Sequence, residues 1–269
     1  MFDCLKFGSR FLKLGIAMVV MLCIGFGLSY GWQKLFVEND EFLVQEVSLK
    51  TMYGEDTSFL DHERLVEQTG LDPAATIFSV DTEQLREALL DLPEITDAQV
   101  RRRLPGLLKV EVSEREPVAW VACRSLGIRE RDRDLGFLVD ADGFVFPCAS
   151  EALWSYAEKL PVIMVKTAER GEIVEGETIQ NKGLRQALQL VNRAAERLQG
   201  SESLAWVVVK DEIMLEAKTL SGVTATLSYY EQDRQLDNLS RLISHAQEQG
   251  KSLTQVNLIP RRFVPVHYR

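Results

Sequence analysis

Hydrophobic and polar positions divide the chain into three stretches of different character. Residues 14–33 carry no charged side chain, and 14–28 form an almost continuous apolar run. These 20 residues at about 1.5 Å each span ~30 Å, the thickness of a bilayer's hydrocarbon core. Tyr30 and Trp32 fall where interfacial aromatics belong. The pattern predicts a transmembrane helix over residues 14–36 behind a tail of residues 1–13. Lys6, Arg10 and Lys13 precede the run against a single acid, Asp3, while Glu38, Asp40 and Glu41 follow it. The positive-inside rule therefore puts the tail in the cytoplasm and the rest outside. A cleaved signal peptide is the competing reading, but the run exceeds the roughly 7–15 residues of a signal core.

From residue 40 the pattern becomes that of a small mixed domain. Residues 42–49 have the β-branched and apolar content of a strand. Leu60, Leu65 and Val66 share a helical face, with Asp61 and Glu63 in the first turn and Gly70 as the stop. Residues 76–80 read as a short extended link. Asp81 followed by Gln84 is a helix-start signature. Leu85, Ala88, Leu89 and Leu92 then form a core-facing stripe that Pro93 ends. Strands are expected over 95–102 and 107–114. The order is strand, helix, helix, strand, strand over residues 40–115, and a three-stranded sheet carrying both helices on one face would bury both stripes.

Residues 116–269 read as a second, larger mixed domain. The runs on either side of Asp142-Gly143 form a hairpin, and residues 160–165 form a strand. Asn181 opens a helix whose stripe is Leu184, Ala187, Leu188, Val191, Ala194, Ala195 and Leu198, with Gly200 at its end. Residues 205–209 and 212–217 pair across Lys210-Asp211. Val223, Ala225, Leu227 and Tyr229 alternate with polar residues, as in a sheet with one wet face. Leu236, Leu239, Ile243 and Ala246 define a second helix that Gly250 stops. Residues 256–259 and 263–268 close the chain as strands. The fold class is α+β, with a mostly antiparallel sheet in this second domain.

The 269 residues are 46% hydrophobic and 26% charged, the balance of a folded chain. The net charge is −9. Residues 1–37 hold four Lys/Arg and one acid, so the remainder carries −12. Such an acidic ectodomain excludes nucleic-acid binding, which needs concentrated positive charge. The three histidines, His62, His245 and His267, are far apart in sequence. No zinc-protease, Cys-x-x-Cys, nucleophile-elbow or phosphate-loop motif occurs. Asp140-x-Asp142-Gly143 lacks the further acids of a calcium loop. No enzyme activity, cofactor or metal is expected. Cys123 ends a strand and Cys148 follows the hairpin. Both fall in the compartment where disulfides form, which makes them a candidate bridge.

Several fragments, in order, resemble the POTRA domain of the FtsQ/DivIB bacterial cell-division family. They are Phe78-Ser79-Val80-Asp81, Leu92-Pro93-Glu94-Ile95, Ala98-Gln99-Val100-Arg101-Arg102, Leu104-Pro105, and the run from Val110 to Ala119. The Asp140 to Phe146 hairpin, the Leu160-Pro161 step, the two amphipathic helices and Val256-Asn257-Leu258 continue the likeness almost to Tyr268. Residues 50–58 look longer than the short turn of many relatives, and Asn257-Leu258-Ile259-Pro260 replaces their Asp-Leu-Arg-Tyr. The resemblance implies a non-enzymatic scaffold of the division septum, held in the cytoplasmic membrane by one helix. It implies FtsB-like and FtsL-like partners and indirect regulation of the septal peptidoglycan synthase. A POTRA adaptor of an envelope assembly or secretion machine is the alternative.

An exposed last strand would bind a partner by β-augmentation, with Phe263, Val264, Val266 and Tyr268 as the contact residues. Pro265 removes one donor, so pairing there is expected to skip it or use the opposite edge.

Overall fold

The computed structural model describes residues 3–34, 40–44, 46–51, 59, 66, 67, 69, 70 and 75–268, and the side chains of all of these but 3–17, 40, 50 and 51. Helix α1 is a 30-residue element, Asp3–Trp32. From Met18 on, its apolar side chains, Met21, Leu22, Ile24, Phe26 and Leu28 among them, are exposed. Among the residues described in full, no helix is long and apolar enough to cross a membrane. The first four positions of the expected span, 14–17, lie outside that set.

The chain forms two compact units, the first of which includes α1. The first takes residues 1–55, 62–91 and 97–112, and the second takes 56–61, 92–96 and 113–269. The sheet of the first unit runs β1-β3-β2, with β1 at Glu46–Thr51, β2 at Ile95–Arg103 and β3 at Leu107–Glu114. Strand β1 is parallel to β3, with Glu46 opposite Leu107 and Thr51 opposite Val112. Parallel neighbours need a long crossover, which here includes α2, Thr82–Leu90. Asp81 caps α2, its Oδ1 accepting from the backbone N–H groups of Glu83 (3.0 Å) and Gln84 (3.2 Å). Leu85 and Leu89 are buried with Ile77, Val80, Ala98, Leu108, Val110 and Val112.

Two expectations for this unit are corrected. The first strand begins at Glu46, because Asp40–Phe42 is a short 3-10 turn and Leu43 bridges Thr76. Residues 77–79 form a turn rather than an extended link, closed by Ser79 N–H donating to Thr76 O at 3.0 Å. Of the expected first helix, Val66, Glu67 and Thr69 are helical, while 60–65 and 68 lie outside the described residues.

The second unit is a nine-stranded sheet in the order β12-β11-β10-β9-β8-β7-β4-β5-β6. Its strands are β4 (Pro117–Cys123), β5 (Phe137–Asp140), β6 (Val145–Pro147), β7 (Val162–Val165), β8 (Leu204–Val209), β9 (Met214–Thr219), β10 (Thr224–Ser228), β11 (Leu253–Asn257) and β12 (Val266–Tyr268). The pairs β4–β7, β7–β8 and β10–β11 are parallel and the other five are antiparallel. Helices α4 (Lys182–Arg197) and α5 (Gln232–Glu248) cover one face. Beneath them Val121, Ile163, Val207, Ala217, Ala225, Val256 and Val266 stand in cross-strand register, one apolar row across seven strands.

The short helix α3, Glu151–Ala157, covers only part of the opposite face, over Trp120, Leu138, Phe146 and Val162. From β9 onward that face is polar. Lys218, Thr224, Gln255 and His267 continue the row of Trp120, Val162 and Trp206.

Asp140 explains the hairpin's acidic motif. Its Oδ1 accepts from the Asp142 and Phe144 N–H groups, and its Oδ2 pairs with Arg115 at 2.9 Å. Those lone pairs are spent on the turn and the ion pair.

Gly136 sits where a side chain does not fit. A Cβ there would lie 2.3 Å from Asp132 O, 2.8 Å from Arg129 O and 2.9 Å from a ring carbon of Trp120. Two of these are backbone atoms, so Gly136→Ala is expected to destabilise the second unit by about 1–3 kcal/mol. A urea midpoint unchanged from the parent chain would contradict that packing.

Candidate partner-binding edge

Strand β12 is an outer edge of the nine-stranded sheet. It is antiparallel to β11, with Val256 opposite Val266 and Gln255 opposite His267. Just before it, the Asn257 N–H donates to Pro265 O at 3.0 Å. In an antiparallel pair, bonded and non-bonded residues alternate. Pro265 and His267 therefore turn their backbone groups toward β11, and Val266 turns both its N–H and its C=O outward. The missing N–H of Pro265 lies on the inner side. This corrects the expectation that outer pairing must skip Pro265 or use the opposite edge: its missing donor costs a bond to β11 and leaves the outer groups of Val266 intact.

The four expected contact residues separate into two kinds. Val264 and Val266 pack on the core cluster, and Val266 ends the apolar row. Tyr268 is 41% exposed, and the Lys251 ammonium lies 5.5 Å from its ring centroid. Phe263 is 95% exposed and, at φ 56°, in the left-handed region. It lies outside the strand, so the expected strand over 263–268 shortens to Val266–Tyr268. A bulky aromatic residue in that region stores local strain.

The loop leading to β12 is tied to the start of α5. Glu231 accepts from Arg234 Nε at 2.9 Å and from the Arg261 guanidinium. Arg234 also donates to the carbonyls of Leu258 and Ile259, each at 3.4 Å. Nothing in the sequence spacing joins Glu231 to Arg261, and the clasp is not legible there. The hydrogen bond from Arg261, then that from Arg234, holds the Glu231 carboxyl below its ordinary value of 4.5. The folded form thus binds its proton less tightly than the unfolded form. The clasp is complete above pH ~4.5 and lost as pH falls through the lowered value. A carbon-detected titration of Glu231 should show a midpoint below 4.5 that rises toward it in Arg261→Ala. A midpoint unmoved by that substitution would contradict the clasp.

Cys123 and Cys148 are separate free thiols. Cys123 belongs to the cluster under α4 and α5, and Cys148 to the cluster under α3. The sheet lies between them, so the expected bridge is not formed. Burial pushes the Cys148 thiol up to about 11, which leaves it a poor nucleophile. Among the described residues no group of three or more His, Cys, Asp or Glu could hold a metal ion.

A β1-β3-β2 sheet with a capped helix, followed by a large mixed sheet, is the architecture of a POTRA-bearing chain. Residues 54–115 match the family model of the FtsQ-type POTRA domain. The likeness runs beyond that domain. A cell division protein FtsQ from Anaeromyxobacter sp. (strain K) is 27% identical over 258 residues, 94% of this chain and 80% of that protein. A cell division protein FtsQ from Syntrophotalea carbinolica is 25% identical over 72% of this chain and 59% of its own length. One from Geotalea daltonii is 20% identical over 85% of this chain and 77% of its own length. The resemblance to the FtsQ/DivIB family is borne out, and the chain is FtsQ-like with an FtsQ-type POTRA domain.

Proposed function

We propose that this chain is a non-enzymatic scaffold of bacterial cell division. Helix α1 anchors it in the cytoplasmic membrane, with its N-terminus in the cytoplasm and the POTRA domain and nine-stranded sheet outside. An FtsB-like partner adds a strand to β12, an FtsL-like subunit joins the same assembly, and the complex helps recruit and regulate septal peptidoglycan synthesis. The observation that carries this reading is the open edge at β12, where the Val266 N–H and C=O point away from β11. Backbone groups of that kind give affinity in strand addition, and the flanking side chains give specificity. Phe263 and Tyr268 stand beside the edge as exposed aromatic anchors.

An N-terminal fluorescent fusion in growing cells tests the role. A band at midcell before constriction is the expected result. An even rim around the cell, with normal division after depletion, would overturn it.

A further inference from the structure

A groove of about 780 Å³ opens at the C-terminal ends of β4, β7 and β8. These three strands are parallel neighbours. The floor of the groove is a row in cross-strand register, Ala122, Met164 and Val208. All three are half-buried. The row lies on the sheet face that α3 only partly covers: α3 packs over Trp120 and Val162, one row away. At β9 the row turns polar with Glu216, whose carboxylate is engaged by Lys210 at 2.8 Å.

The walls are basic. Arg124, Arg129 and Lys166 line the groove against one acid, Glu130. Arg129 reaches Asp132 only at 3.8 Å, and among the described residues Arg124 and Lys166 have no ion-pair partner. An excess of cations around an apolar floor runs against the chain's net charge of −9. The opposite charge and an aliphatic contact are what this surface would recognise.

We propose that this groove is a second partner-binding site, which takes an acidic peptide segment carrying aliphatic side chains. Its carboxylates meet Arg124, Arg129 and Lys166, and its aliphatic side chains lie on Ala122, Met164 and Val208. The site is distinct from the β12 edge. Strand β8 is four strands from β12 in the sheet order, or ~19 Å at about 4.8 Å per strand. A scaffold with two separated sites can hold two partners, or two segments of one, at once.

The test uses the full chain in lipid nanodiscs with methyl-labelled methionine, the Met164 resonance being identified by its loss in Met164→Leu. The probe is the capped peptide Asp-Leu-Glu-Leu-Asp-Leu, and the control is Lys-Leu-Lys-Leu-Lys-Leu. The expected result is a saturable shift of Met164 with the acidic probe alone, weakened by added salt. Arg124→Glu with Lys166→Glu should lower the apparent affinity at least about tenfold, and Arg124→Gln with Lys166→Gln by less. Val266→Pro should leave the shift unchanged, which separates this site from the edge. No movement of Met164, an equal response to the lysine peptide, or full binding by the charge-reversed variant would overturn the proposal. So would a shift driven by protein concentration without probe, which would make a second copy the occupant.

Discussion

Val266→Pro is expected to weaken binding of an FtsB-like partner by roughly tenfold to a hundredfold while the domain stays folded. Proline removes the outward N–H of Val266 and keeps an apolar side chain at the end of the core row. Its φ of about −65° lies within the extended region. Val266 does not bond to β11 through its own N–H, so the β11–β12 pair keeps its hydrogen bonds. A backbone bond is worth about 1 kcal/mol net, but removing its donor leaves an incoming carbonyl unsatisfied, which raises the cost to about 1–3 kcal/mol. That range brackets the stated loss. Val266→Asp would be a poorer probe, because its carboxylate would enter the cluster under α5 and destabilise the sheet itself. Titration calorimetry with the partner's extracytoplasmic segment reads the effect, and far-ultraviolet dichroism checks the fold. Parent-like affinity in a folded Val266→Pro chain would remove strand addition at this edge.

Trp120→Ala is expected to cost about 3–5 kcal/mol of stability. Trp120 is fully buried under α3. Its indole N–H donates to Ala157 O at 2.8 Å, and its ring meets Trp154 edge-on at 5.7 Å between centroids. Helix α3 has only seven residues, too few to hold its shape without packing. Losing the indole opens a cavity and removes one of the two donors to the last carbonyl of α3, which keeps the Leu160 N–H at 3.0 Å. Trp120→Phe refills much of the cavity but not the hydrogen bond, so its cost should be smaller. Strand β4 is six strands from β12, or ~29 Å at about 4.8 Å per strand. The folded fraction of Trp120→Ala should therefore bind the partner normally. Chemical denaturation followed by the remaining tryptophans reads the loss. A change below 1 kcal/mol would mean that α3 is not pinned there.

The elements legible in the sequence are those with local chemistry. Asp81 and Asn181 cap their helices as their positions imply. Leu184 to Ala194 and Leu236 to Ala246 bury the stripes that their spacing sets. Asp140 to Gly143 makes the hairpin turn, with Gly143 at φ 91°. What was hidden depends on partners distant in sequence. Helix α3 is too short to show a stripe. Nothing local makes β4, β7 and β8 parallel neighbours.

The candidate edge was half visible. Composition marked Phe263 to Tyr268 as strand-forming, but the left-handed turn at Phe263 and the clasp between Glu231 and Arg261 delay the strand to Val266. Whether Pro265 blocks the edge depends on which side its missing donor faces, and pairing with Asn257 decides that. The Cys123–Cys148 expectation failed for a related reason: both lie near strand ends in sequence, but strand alternation puts them on opposite faces of the sheet.

The most direct test of strand addition is amide hydrogen exchange at Val266, in the full chain alone and with an FtsB-like partner. In the free protein its outward N–H should exchange fast, while the His267 N–H, turned toward β11, is slower. On binding, Val266 should become strongly protected. Fast exchange at Val266 in a saturated complex would contradict partner binding through this edge.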